Sequence, residues 1–209
     1  MQQNIFVTGI DTNTGKTLVS AILVEALQAD YWKPIQAGET DNTDTMKVAS
    51  LVSNQRSVMH PEAYILQEPM SPHLAAQKDG VEIDIEQFVL PQTNNNLIIE
   101  GAGGLLVPIR EDFLVIDLIK KLNVEVVLVS RNYLGSINHT LLSAMALKAL
   151  DIKVKGIIFN GSRMEGTEAI ILSRTGYKFL GRIEEEEVID QSTILRYAAQ
   201  FSNVLNDAE

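Results

Sequence analysis

Short apolar runs alternate with amphipathic stretches along this chain. Residues 4–8 (NIFVT) read as a strand that runs straight into a glycine loop. Over residues 16–29, Leu18, Ile22, Leu23, Ala26 and Leu27 recur at helical spacing. A short strand is expected to end at Lys33, because Pro34 has no N–H to give to a ladder. Strand-length apolar runs follow at residues 96–100 (NLIIE), 124–130 (VEVVLVS) and 154–160 (VKGIIFN), with a weaker one at 177–182. Helical patterns occupy residues 136–150 and 189–201. Continuous Val/Ile/Leu runs separated by helices specify a parallel sheet covered on both faces. The expected fold is α/β: a doubly wound, mostly parallel sheet with helices on both faces and ligands at the carboxyl ends of the strands. No repeat, low-complexity tract or clear linker interrupts the pattern. The length of 209 residues suits a single domain over 1–209.

Composition narrows the chemistry. There is no cysteine, which excludes a disulfide framework and a cysteine zinc site. Lys and Arg number 17 against 27 Asp and Glu, a formal net charge of −10. Broad nucleic-acid or anionic-membrane binding needs a positive footprint and is not expected. A local phosphate site is still open to an acidic protein, since a helix N-terminus and one or two lysines can form it. The start, MQQNIFVTG, has neither a basic region nor a long apolar run, so a signal peptide is not expected and a cytoplasmic location is.

The stretch GIDTNTGKT begins at Gly9, just after the first expected strand. The usual phosphate-binding loop has four residues between its glycines; here five stand between Gly9 and Gly15. With a strand before and a helix after, the fold is P-loop NTPase-like. Successive N–H groups from Asn13 to Thr17 can wrap a triphosphate. Lys16 supplies a charge to the β- and γ-phosphates, and the Thr17 hydroxyl a magnesium ligand. Lys33, at the end of its strand, is placed to reach the same phosphates from the other side. Glu100 ends the NLIIE strand beside this loop, the usual place of a second magnesium holder. Asp44 reads equally as a magnesium ligand or as the N-cap of the helix it starts. His60, His73 and His139 are too scattered for a metal site, and capping or packing roles are expected for His73 and His139. The acidic run Glu184 to Glu187 reads as a solvated loop.

These residues resemble the dethiobiotin synthetase family. The similarity runs to about Gly181 and rests on TGIDTNTGKT, KPIQAG, EPMSPHLAA, IEGAGGLLVP, LGSINHTLL and VKGIIFNG, in that order. The resemblance implies an ATP-dependent carbon–nitrogen ligase of biotin biosynthesis. Such an enzyme takes 7,8-diaminopelargonate, carbon dioxide and ATP, with Mg2+, and closes a ureido ring through a carbamate and a carbamic–phosphoric anhydride. It implies Lys33, Lys16 and Thr12 as catalytic residues. Asn13, Thr14, Gly15, Lys16, Thr17 and Leu18 would hold the nucleotide, with Asp44, Glu100, Gly101, Ala102 and Gly103. Thr17, Asp44 and Glu100 would hold the magnesium. Asn160 and Gly161 would meet the adenine edge, with Glu184 and Glu185 beside it. Thr12, Lys33, Ala37, Gly135, Ser136 and Asn138 would bind the diamine. The helix begun by Gly135 would come from the partner subunit, which implies a homodimer with the substrate site at its interface.

Three departures from the family pattern stand out. Ala37 replaces a hydroxyl residue, Glu184 replaces a proline, and the connection from Lys33 to Asp44 is short. Partition and septum-positioning ATPases share the loop type but carry an extra early lysine, which GIDTN lacks. A glutaminase-linked amidoligase would need a cysteine nucleophile. A non-catalytic nucleotide-binding module is the remaining alternative.

Overall fold

The computed structural model describes residues 2–206. In chain order its first half comprises β1 (Asn4–Gly9), α1 (Lys16–Leu27), β2 (Asp30–Trp32), β3 (Ile35–Ala37), α2 (Asp44–Leu51), β4 (Met59–His60), β5 (Tyr64–Leu66) and α3 (Pro72–Asp79). Then come β6 (Leu97–Gly104), β7 (Pro108–Arg110), β8 (Phe113–Leu114), α4 (Val115–Leu122) and β9 (Glu125–Arg131). The last part holds α5 (Ser136–Ala149), β10 (Val154–Asn160), α6 (Glu165–Thr175), β11 (Phe179–Ile183) and α7 (Gln191–Asn206).

Seven strands form one sheet in the order β11-β10-β9-β1-β6-β2-β4. Every pairing in it is parallel. The small pairs β3-β5 and β7-β8 stand outside that sheet. β1 lies between β6 and β9, with Val7 opposite Glu100 on one side and Val127 on the other. The chain runs from β1 to β2 on one side and later crosses from β6 to β9 on the other, so the carboxyl end of β1 is the switch point where such sheets bind ligands.

Helices cover both faces. α1, α2 and α7 pack on one face through Ile22, Leu23, Val48, Tyr197 and Phe201. α3, α4 and α5 cover the other with Ala75, Leu118, Ile119 and Leu147. Ile22 and Leu23 are fully buried, and burying each is worth about 1.5–3 kcal/mol. That packing anchors α1 and therefore the phosphate loop at its start.

Several boundaries differ from the pattern reading. β2 stops at Trp32, one residue before Lys33, as expected of a strand meeting Pro34. α7 runs on to Asn206 rather than ending near residue 201. α3, α4 and α6 had no counterpart in the pattern reading. α4 buries Val115, Ile116, Leu118, Ile119 and Leu122, but it is two turns long and follows the apolar β8, so its period merges with a strand-like run. α3 begins with Pro72 after Ser71, a helix start set by proline rather than by apolar period.

Candidate active site

The loop after β1 is organised by its extra length. The Asp11 carbonyl accepts from Lys16 Nζ at 3.1 Å and from Thr14 Oγ1 at 3.3 Å. Its carboxylate accepts from the Thr12 backbone N–H at 2.7 Å. The Asp11 carbonyl, inside the lengthened loop, thus holds the lysine. Asn13 has φ 54° and Gly15 φ 90°. A Cβ on Gly15 would stand 2.2 Å from Asn160 Nδ2, and that nitrogen donates to the Thr14 carbonyl at 2.8 Å. Gly15 is therefore required on two counts, backbone sign and space. Asn160, at the end of β10, is built into the phosphate loop. Leu18 packs against the core beneath it. Burial, with the positive charge of Lys33 adding to it, pushes Lys16 from 10.5 down to about 8.

Lys33 is buried to 4% exposure beside two carboxylates. Its Nζ lies 2.7 Å from Asp44 Oδ2 and 3.1 Å from Glu100 Oε1, and donates to the Gly101 carbonyl at 3.2 Å. Burial opposes the Lys33 ammonium, but Glu100 and Asp44 outweigh it and hold its pKa above the ordinary value. Glu100 has no exposed surface. Its Oε1 also accepts from Thr17 Oγ1 at 2.9 Å, and its Oε2 from Tyr31 OH at 2.9 Å.

Of the two roles open to Asp44, that of N-cap is overturned. Thr43 caps α2, its side chain accepting from the Met46 N–H at 3.2 Å. The Asp44 carboxylate is free to face Lys33 because capping falls to its neighbour. Gln36 Oε1 accepts from the Asp44 N–H at 3.1 Å, which keeps the helix start against the site. Burial would raise the Asp44 carboxyl, but Lys33 beside it holds it below its ordinary value.

One cavity of about 760 Å³ joins these groups. Thr12, Asn13, Gly15, Lys16, Thr17, Lys33, Asp44, Glu100, Ala102 and Gly103 line its polar side. Ile35, Ala37, Pro69, Met70, Pro72 and Val107 form an apolar wall. Gly38 permits the approach of that wall: with φ 73°, it lies where a Cβ would be 2.6 Å from the ring of Pro69. Lys47 also lines the cavity and pairs with Glu39 and, at 3.5 Å, with Asp44. Tyr31, Gln36, Lys47 and Arg131 were not among the expected residues. Arg131 Nη1 donates to the Asn13 carbonyl at 3.3 Å. Gln36 sits inside KPIQAG and was legible as part of that motif. Tyr31, Lys47 and Arg131 carry no sequence signal that separates them from ordinary strand-end and helix-surface residues.

Two expected groups stand apart from this cavity. Gly161 donates its N–H to the Ile183 carbonyl, and a Cβ on it would lie 3.9 Å from the Glu185 carboxylate, so the carboxyl ends of β10 and β11 meet there. Glu184 is exposed and pairs with Arg182 at 3.2 Å. The acidic run is a loop as read, yet Glu186 is not simply solvated: it accepts from Tyr197 OH and pairs with Arg196 at 2.9 Å. Gly135, with φ 106°, caps α5 ahead of Ser136 and Asn138. None of these three lines the cavity. Ser136 Oγ is buried without a partner.

Among the described residues no group of three or more His, Asp or Glu side chains forms a metal site by itself. The two carboxylates that meet at Lys33, with the Thr17 hydroxyl on Glu100, are nonetheless hard oxygen donors of the kind magnesium takes with phosphates and water. His60 pairs with Asp30 at 3.0 Å and His139 with Tyr133 OH at 2.6 Å, both away from the cavity. Among the described residues no helix is long and apolar enough to cross a membrane.

A family model described as an AAA domain matches residues 3–193. The ATP-dependent dethiobiotin synthetase BioD of Cytophaga hutchinsonii is 54% identical over 197 residues, covering 94% of this chain and 95% of that protein. Its namesake in Christiangramia forsetii is 52% identical over 201 residues, covering 96% and 97%. A solved plasmid partition protein from Borrelia burgdorferi has a TM-score of 0.63 at 12% identity, covering 100% of this chain and 99% of its own. The septum site-determining protein MinD of Pyrococcus horikoshii, complexed with Mg-ADP, scores 0.61 at 14% identity over 100% and 99%. Likeness at such low identity speaks for the P-loop α/β fold alone. Sequence identity across nearly the whole chain, joined to the ordered motifs, shows that this chain belongs to the ATP-dependent dethiobiotin synthetase family of carbon–nitrogen ligases.

Proposed function

We propose that the chain closes the ureido ring of dethiobiotin from 7,8-diaminopelargonate, carbon dioxide and ATP, acting as a single-domain, cytoplasmic homodimer. The observation that carries this reading is the shared cavity. The phosphate-loop residues, the apolar Ile35, Ala37, Pro69, Met70 and Pro72, and the buried Lys33 all line this one space. A triphosphate suits one side and the aliphatic chain of the diamine the other.

In the reaction one amine takes up carbon dioxide as a carbamate and loses a proton. A carbamate oxygen attacks the γ-phosphorus and ADP leaves. The second amine then attacks the carbonyl carbon of the mixed anhydride, expelling phosphate and closing the ring. Two anions must be drawn together, so cations between them lower the barrier. Lys16 holds the phosphate side and Lys33 meets the carbamate, with Thr12 orienting it. The rest is positioning. Thr17, Asp44 and Glu100 would hold magnesium, which would supply positive charge to the phosphate oxygens. Asn160 and Gly161 receive the adenine edge, with Glu184 and Glu185 flanking it.

The homodimer is supported by exposed apolar side chains on and near α5. Leu134 is 101% exposed, Leu142 56% and Met145 66%. Gly135, Ser136 and Asn138 would then reach the diamine of the partner subunit through the α5 N-terminus. Label from bicarbonate should enter a ring-closed product only when ATP and the diamine are both present. Label-free product, or none, would set this reading aside.

A further inference from the structure

A second polar network lies at the carboxyl ends of β9, β10 and β11, away from Lys33. Glu168, on α6, is buried to 6% exposure. Its carboxylate is gripped by the Arg182 guanidinium of β11. Glu168 Oε1 also accepts from Asn132 Nδ2 at 2.6 Å and from the Met164 N–H at 3.2 Å. Asn132 extends the connection: its Nδ2 donates to the Ser162 carbonyl at 3.0 Å, and its own N–H donates to the Asn160 carbonyl at 3.1 Å. The turn from Asn160 to Met164 is therefore held at its start, middle and end by Asn132 and Glu168.

That turn carries Asn160, whose side chain supports the Thr14 carbonyl of the phosphate loop. Glu168 has no place in the cavity and no contact with it. A buried ion pair is weak support for stability when compared with apolar packing. Its bond to the Met164 N–H, and its hold on the Asn132 amide that itself bonds Ser162 and Asn160, are better explained by orientation of that turn.

We propose that Glu168, clamped by Arg182 and Asn132, is a positioning residue that fixes the Asn160 turn and thereby sets nucleotide affinity and base choice. The affinity part follows from the link between Asn160 and the phosphate loop. The base-choice part rests on the proposed adenine contact at Asn160 and Gly161. Removing the carboxylate releases the turn without touching any group that meets substrate.

The test compares ADP and GDP binding by calorimetry for the full chain and its Glu168→Ala, Glu168→Gln and Asn132→Ala variants, beside thermal melts. Glu165→Ala, on the same helix but exposed, is the control. Misplacing a binding group by about 1 Å is enough for a ~10- to 100-fold effect. We expect ADP binding to weaken at least ~10-fold in Glu168→Ala, with the preference for ADP over GDP narrowed. Glu168→Gln should fall between it and the parent. At saturating ATP, kcat should stay close to the parent while KM for ATP rises. A variant that melts lower yet keeps parental ADP affinity and base preference would overturn the proposal and leave Glu168 a structural residue. If Glu168→Ala does not fold, Glu168→Gln and Asn132→Ala decide by the same two outcomes. Because ADP binding needs no diamine, this result is independent of whether the chain turns the diamine over.

Discussion

Lys33 Nζ stands 2.7 Å from Asp44 Oδ2 and is shared with Glu100 Oε1 at 3.1 Å, so one buried cation balances two carboxylates. Lys33→Met removes that cation and leaves Glu100 buried and unpaired. Breaking a buried pair from one side costs on the order of 3–5 kcal/mol, so the urea midpoint should fall clearly. Loss of a cation at the developing charge should lower diamine-dependent turnover by at least ~100-fold. A variant that keeps full diamine-dependent turnover removes Lys33 from the reaction.

Lys16 gives the site a pH dependence. Its pKa in the folded chain is lowered to about 8, chiefly by burial. The folded apo state thus favours the neutral amine above that value, whereas a triphosphate favours the ammonium. Metal-free ATP affinity should be full below pH 8 and fall about tenfold per unit above it. Calorimetry across this range checks the slope, and Lys16→Arg should flatten it. An affinity that rises above pH 8 would reverse the sign and refute the assignment.

Tyr31 is the only side chain bonded to Glu100 Oε2 among the described contacts. Tyr31→Phe keeps the ring and orphans that oxygen, at a cost of about 1–3 kcal/mol. A carboxylate less firmly oriented should also weaken the magnesium dependence of ADP binding. Unchanged stability together with an unchanged magnesium titration would mean that the hydroxyl does not orient Glu100.

The exposed face of α5 bears on the dimer. Met145→Glu combined with Leu142→Glu should give monomers by sedimentation velocity. These should retain ADP affinity, because the phosphate loop lies within one chain, and lose diamine turnover, as the proposed reach of Gly135 to Asn138 into the partner's site requires. A fully active monomer would contradict the shared site.

How far the sequence discloses this arrangement depends on the signal each part carries. The central strands were legible because continuous Val/Ile runs are buried on both faces, and Lys16, Thr17 and Lys33 because each follows such a strand; Glu100 ends the apolar run but not the strand, since β6 continues through GAGG to Gly104. Asp44 was ambiguous for a physical reason: a polar residue before a helix can cap it or face a site, and only Thr43 taking the cap decides between them. Tyr31 and Lys47 were hidden, since a tyrosine in a strand and a lysine on a helix are ordinary there. α6 was also missed. Its burial rests on Ile171 and the charged Glu168, and a buried ion pair leaves no hydrophobic period to read.

The central claim is that the cavity couples ATP cleavage to the diamine. ADP release, followed with ATP, magnesium and bicarbonate present, measures this directly. ADP should form only when 7,8-diaminopelargonate is added, in equal amount to dethiobiotin. ADP release that proceeds at the same rate without the diamine would contradict the ligase reading.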